Sequence, residues 1–159
     1  MAKVEVVASQ EINASPQTVY NVLTDYHVGH NAILPRPYFK GMDVLEGGKG
    51  AGTRVKVYSS SMGKTRTMEM VASEPEPGRV LMEKDVDSDL VTTFTVDPVN
   101  EGVKSRVTIK TVFIPRSGLL GLMERAVNPT MMRYVFNLEL RKLNEYVEAQ
   151  AEGGSRAFG

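Results

Sequence analysis

The spacing of apolar positions changes three times along the chain, and each change marks a new kind of element. From Lys3 to Ile12 apolar and polar residues alternate, with Val4, Val6, Ala8 and Ile12 on one side, which predicts a strand. Ser15 then stands as an N-cap and Pro16 opens a helix through about Asp25, with Val19, Val22 and Leu23 as its buried stripe. A weaker helical turn follows over Tyr26 to Ile33. Leu34-Pro35-Arg36-Pro37 ends it, because proline removes a donor and pushes its predecessor to extended geometry.

From Tyr38 to Ile114 the period is two. Six strands are predicted: Phe39–Glu46, Thr53–Ser60, Lys64–Ser73, Arg79–Val86, Leu90–Val96 and Val103–Ile114. Val55 and Val57, Met68, Met70 and Ala72, Phe94 and Val96, then Val107, Ile109, Thr111 and Phe113 mark the inward face. Short connections rich in Gly, Pro, Asp and Asn imply an antiparallel meander, covered on one face. Leu119, Leu120, Leu122, Met123 and Val127 then predict a short apolar helix, either packed on the sheet edge or acting as a gate. The period returns to the helical one from Asn128 to Gln150. Met132, Phe136, Leu140, Leu143 and Val147 share a face, and Met131, Val135 and Leu138 widen it. Asn128 caps this longest helix and Pro129 sits in its first turn. One domain over residues 1–150 follows, with residues 151–159, containing Gly-Gly-Ser, expected to form a disordered tail.

Composition narrows the function. Lys plus Arg and Asp plus Glu are 19 each, so the chain carries no net charge. That argues against nucleic acid and against electrostatic attachment to anionic membranes. No apolar run is long enough to span a bilayer, and the first residues lack the apolar core of a signal peptide, so a cytoplasmic protein is expected. The absence of cysteine removes disulfides and thiolate chemistry.

Candidate chemistry is sparse. His27 and His30 are three apart and could share a metal with Asp25 or Asp43, but no spacing motif completes the set, so no metal or cofactor is expected. His30 is better placed as a polar group at the rim of a pocket. Met62-Gly63-Lys64-Thr65 and Gly47 to Gly52 sit between strands, which reads as turns rather than phosphate loops. Glu83 and Asp85 share a strand face and read as solvated. Tyr134 and Arg133 lie where the long helix would border a pocket, with core packing the plainer role for Tyr134.

Ile12-Asn13-Ala14-Ser15-Pro16-Gln17-Thr18-Val19-Tyr20-Asn21-Val22-Leu23-Thr24-Asp25 resembles the opening of the START-like, or SRPBCC, superfamily. Glu76-Pro77-Gly78-Arg79-Val80-Leu81 and the stretch from Leu140 to Glu148 fit the same group. Within it the chain looks most like the polyketide cyclase/dehydrase and lipid-transport proteins. The resemblance implies an α+β helix-grip fold: a seven-stranded curved antiparallel sheet, with two short helices after the first strand, wrapped around a long C-terminal helix. It also implies a cavity between sheet and helix for an apolar guest. His30, Asn31, Val57, Met68, Met70, Phe94, Ile109, Met131, Tyr134 and Val135 are the residues expected to line it. Because no acid–base constellation stands out, carriage of a hydrophobic small molecule by a monomer is the leading expectation. A polyketide cyclase or dehydratase comes second and an interaction module third.

Overall fold

A computed structural model describes residues 3–61, 63–115 and 128–158. Strand β1 (Val4–Ile12) leads to helix α1 (Pro16–Thr24) and the single-turn α2 (Gly29–Ala32). Six strands follow: β2 (Phe39–Glu46), β3 (Arg54–Ser61), β4 (Lys64–Glu76), β5 (Val80–Asp85), β6 (Val91–Val99) and β7 (Lys104–Phe113). Helix α3 (Asn128–Phe158) comes last. The strands form one antiparallel sheet in the order β1-β7-β6-β5-β4-β3-β2. β1 therefore crosses from the first position in sequence to pair with the last strand, and the rest is a meander.

The alternation that predicts the strands also sets their inner face. Val6, Ala8 and Ile12 on β1 are buried, as are Val107 and Ile109 on β7 and Phe94 and Val96 on β6. Leu81, Ala72, Met70, Val55 and Val57 continue that face across β5, β4 and β3. Phe136, Leu140, Leu143 and Val147 of α3 close over it, and Val19, Leu23 and Ile33 fill the end near α1. Asn13 fastens the far half of α3: its N–H donates to Asn144 Oδ1 at 2.8 Å and its Nδ2 to Glu148 Oε1 at 2.7 Å.

Three elements run past the ends that the pattern predicts, and the first is β6, which continues from Val96 through Pro98 to Val99. β4 runs past Ser73 to Glu76, through Pro75, because the register shifts between Ser73 and Glu76 and a bulge does not need that N–H in the ladder. α3 runs past Gln150 through Gly153 and Gly154 to Phe158. A helix glycine costs about 1 kcal/mol relative to alanine, too little to stop a helix already several turns long. The apolar helix expected over Leu119–Val127 lies outside the described residues.

Candidate functional site

The α1–α2 corner is built so that one histidine points inward. Ser15 Oγ accepts from the Thr18 N–H at 3.3 Å, starting α1 where the sequence places it. The chain then bends at Asp25, and α2 folds back on α1. Gly29 permits this approach, since a Cβ there would lie 2.6 Å from the Val22 carbonyl oxygen. The β2–β3 loop braces the corner from outside. Tyr26 N–H donates to the Gly48 carbonyl at 3.0 Å, and Gly50 N–H donates to the Thr24 carbonyl at 2.9 Å. Gly48 itself has φ of 137° and lies against His27, so a side chain fits neither its backbone nor its space.

With the corner fixed, Tyr26 and His30 face the sheet. Their rings stack with centroids 4.8 Å apart, and Phe94 meets the His30 ring edge-on at 5.3 Å. His30 Nδ1 lies 2.7 Å from the Leu23 carbonyl oxygen. A carbonyl only accepts, so Nδ1 carries the proton, and Nε2 bears the lone pair whenever the ring is neutral. Nε2 faces two carboxylates: Glu83 Oε2 of β5 at 3.7 Å and Glu139 Oε1 of α3 at 3.9 Å. Tyr26 Oη donates to the same Glu83 oxygen at 2.7 Å. All four side chains are buried, His30 and Glu139 with only 3% and 4% of their surface exposed.

Burial governs the electrostatics. Desolvation, reinforced by the charge of Glu83, pushes the Glu139 carboxyl up to about 8, so it holds its proton at neutral pH. Burial and the Glu83 carboxylate push the Tyr26 phenol far above its ordinary range, which keeps it a neutral donor. The site thus joins a nitrogen base, a protonated acid, a second carboxyl and a phenol inside an aromatic frame.

Several expectations are corrected by this geometry. His30 is not at a rim but inside, because α2 turns it toward β5 and β6. Glu83 and Asp85 are buried rather than solvated. β5 is a central strand, and these positions share the inward face of Leu81. His27 is exposed on the outer side of the corner. With Asn21, Asp25, Gly47, Gly48 and Lys49 it lines an open groove of about 700 Å³ that includes none of the four buried residues. The two histidines therefore do not form a ligand pair. Among the described residues, no three His, Asp or Glu side chains are grouped to hold a metal ion.

The remaining candidates divide. Val57, Met70, Phe94, Ile109 and Val135 are buried, and Met68 packs beside them. Asn31 is half-buried next to His30, and its Oδ1 has no hydrogen-bond partner among the described residues. Met131 and Tyr134 are 44% and 53% exposed. Tyr134 lies two positions before the buried Phe136, roughly 200° around the helix, so it cannot share that face. Instead it meets Tyr38 edge-on at 5.9 Å. Sequence reasoning missed Glu139 and Tyr26. The available signal for Glu139 was its place inside the apolar stripe, three residues after Phe136 and four before Leu143.

A curved seven-stranded sheet gripping a long C-terminal helix is the helix-grip fold of the START-like superfamily. Three solved structures illustrate the likeness. The KanY protein, solved by NMR, is 31% identical with a TM-score of 0.80, the match covering 93% of this chain and 99% of that one. Zhui aromatase/cyclase from Streptomyces sp. R1128 is 15% identical with a TM-score of 0.79, covering 94% and 96%. A START superfamily protein from Mycobacterium smegmatis is 15% identical with a TM-score of 0.60, covering 94% and 97%. The last two share the fold alone. The chain belongs to the polyketide cyclase / dehydrase and lipid transport family, whose sequence model matches residues 3–148. No curated protein matches it. No described helix is long and apolar enough to cross a membrane.

Proposed function

We propose that the protein binds an apolar carbonyl compound between the sheet and α3 and catalyses proton transfer on it, the chemistry on which cyclisation and dehydration of polyketones depend. One observation carries this: a buried histidine with Nδ1 fixed on a carbonyl and Nε2 turned toward two buried carboxyls. General bases and acids need such fixed tautomers and shifted carboxyls to work near neutral pH. Neutral His30 takes a proton from the carbon beside the carbonyl, breaking C–H and forming N–H at Nε2. The C–H electron pair becomes the C=C bond, and the carbonyl oxygen takes the proton of Glu139. The product is the enol, leaving imidazolium and carboxylate. Tyr26 holds Glu83 in place beside the imidazolium through its hydroxyl. Val57, Met68, Met70, Phe94, Ile109 and Val135 supply the apolar wall, with Asn31 as a polar contact at its edge.

The test is solvent deuterium exchange into 1-(2-naphthyl)propan-2-one, followed by NMR. Wild type should exchange its carbon-bound protons faster than buffer does, and His30→Gln should be slower than wild type by roughly 10²-fold or more. Equal rates in the two proteins would defeat the proposal. Plain carriage is the second reading, favoured by the soft lining that Met42, Met68 and Met70 give the inner face. It gains if an apolar compound is extracted from purified protein while exchange never rises above buffer.

A further inference from the structure

One end of the molecule concentrates positive charge that the balanced composition conceals. Residues 26–42 and 58–68 contain Arg36, Lys40, Lys64 and Arg66 and no aspartate or glutamate. The fold brings these two stretches together. Phe39, Ser59 and Arg66 are register partners across β2, β3 and β4, and Lys40 Nζ donates to Thr65 Oγ1 at 2.8 Å. Arg36, Lys40 and Arg66 are exposed. This end also projects. Lys64 to Thr67 pair with β3, whereas the pairing of β4 with β5 begins only at Met70 and Asp85, so the acidic turn at Asp87 and Asp89 stops short of the β3–β4 hairpin. The next acids along β2 and β4 are engaged: Asp43 accepts from Tyr58 Oη at 2.7 Å, and Glu69 pairs with Arg54. Apolar side chains lie beside the cations. Tyr134 of α3, 53% exposed, meets the ring of Tyr38, which stands between Arg36 and Lys40 in the chain. Met131, about one helical turn before Tyr134, is 44% exposed. Phe39, Met42 and Met68 on the same strands are only half-buried.

A bilayer interface matches this combination. It offers anionic headgroups to the cations and an apolar layer to Met131, and tyrosine is favoured at the boundary between them. A net charge of zero does not count against it. Attraction to a charged surface falls off within about 10 Å, so the face presented decides, not the sum. We propose that this end, formed by the starts of β2 and β4 and the first turns of α3, docks the protein peripherally on an anionic lipid surface. Arg36, Lys40 and Arg66 meet the headgroups, and Tyr38, Met131 and Tyr134 enter the interface. The docking goes beyond the proton-transfer reading and does not depend on it.

Vesicle cosedimentation tests this, with phosphatidylcholine alone and with phosphatidylcholine containing about one-third phosphatidylglycerol. Wild type should bind the anionic vesicles at least roughly tenfold tighter, and added salt should weaken that binding. Lys40→Gln/Arg66→Gln should lose roughly fivefold for each charge removed. Lys49→Gln, on the β2–β3 loop at the opposite end of β3, should bind as wild type does. Met131→Ser/Tyr134→Ser should lose roughly tenfold on the anionic vesicles. These side chains are exposed, so thermal melting should stay near that of wild type. Equal binding to both kinds of vesicle, no binding to either, or unchanged binding by Lys40→Gln/Arg66→Gln would each overturn the proposal. Full binding by Met131→Ser/Tyr134→Ser would leave a surface that reads charge alone, as an acidic protein offers, and would overturn it too. Deuterium exchange on the naphthyl ketone, run without vesicles, reports separately on the proposed function. Its survival alongside failed docking removes only the lipid surface, and its loss alongside intact docking removes only the catalytic role.

Discussion

Two neighbouring rungs of the same sheet face carry opposite chemistry. One rung runs Leu81, Phe94, Ile109 and Ala8 across β5, β6, β7 and β1, and it is wholly apolar. The next runs Ala72, Glu83, Thr92, Thr111 and Val6 across β4 to β1, and its centre is polar. Both are buried under helices, so solvent does not explain the difference. The apolar rung holds the fold by exclusion of water. In the polar rung every group needs a partner: Thr92 and Thr111 share a hydrogen bond at 2.7 Å, and Glu83 is held by Tyr26 beside His30. A polar row inside a largely apolar sheet face weakens a structure built for stability alone. Within that row it is Glu83 that lies beside His30, and Glu139 of α3 approaches the same ring nitrogen.

The sharpest way to break this contrast is to damage the apolar rung. Leu81 has no exposed surface. Leu81→Ala should cost about 2–5 kcal/mol, the loss of burial plus the cavity left behind. Chemical denaturation measures it, and a change below about 1 kcal/mol would mean that this rung is not the packed centre.

The polar side answers to pH instead. Glu139 has a folded value of about 8 against an ordinary 4.5. Between those values the unfolded chain has lost a proton that the folded chain keeps. Stability from this group is therefore full below about 4.5 and falls as pH rises through the window to about 8. The fall should be on the order of a few kcal/mol. Comparing Glu139→Gln with wild type at several pH values isolates this share, and the variant should lack it. A wild-type stability that rises relative to the variant over that window would contradict the burial of Glu139 as an acid.

Much of this contrast is hidden in the sequence, and the reason is physical. The apolar rung is legible because strand alternation exposes it: Phe94 and Ile109 fall on the inward face by period alone. The start of α1 is legible because Ser15 and Pro16 act on their immediate neighbours. Glu83 obeys the same alternation as Leu81, but alternation names a face and does not say what covers it. Its burial depends on α2 folding back through Gly29, a contact between distant parts of the chain. Glu139 sits within the apolar stripe of α3, where the run of Phe136, Leu140 and Leu143 draws the eye past it. His30 was visible as a titratable group, but its partners come from β5 and α3, and no local spacing connects them.

Tyr26→Phe sharpens the contrast without changing shape. It removes the donor to Glu83 Oε2 and leaves the stacked ring in place. The cost should be about 1–3 kcal/mol, as for a buried hydrogen bond to a charged acceptor. It should also slow exchange in the ketone assay, because Glu83 is then free to turn from His30. Loss of stability with no change in exchange would make Tyr26 a purely structural tie.

The smallest effect separates the threonine pair from the site. Thr92 and Thr111 bond each other, and both are buried. Replacing both by valine keeps the volume and removes donor and acceptor together, which should change stability by less than about 1 kcal/mol. Replacing Thr92 alone strands the Thr111 hydroxyl and should cost about 1–3 kcal/mol, more than the double change. That inverted order distinguishes a self-contained pair from hydroxyls that serve a guest. If the double variant keeps its stability and its rate of ketone exchange, the polar rung divides into a structural half on β6 and β7 and a chemical half at Glu83. If exchange falls while stability holds, the threonines belong with His30, and the site extends along the whole rung.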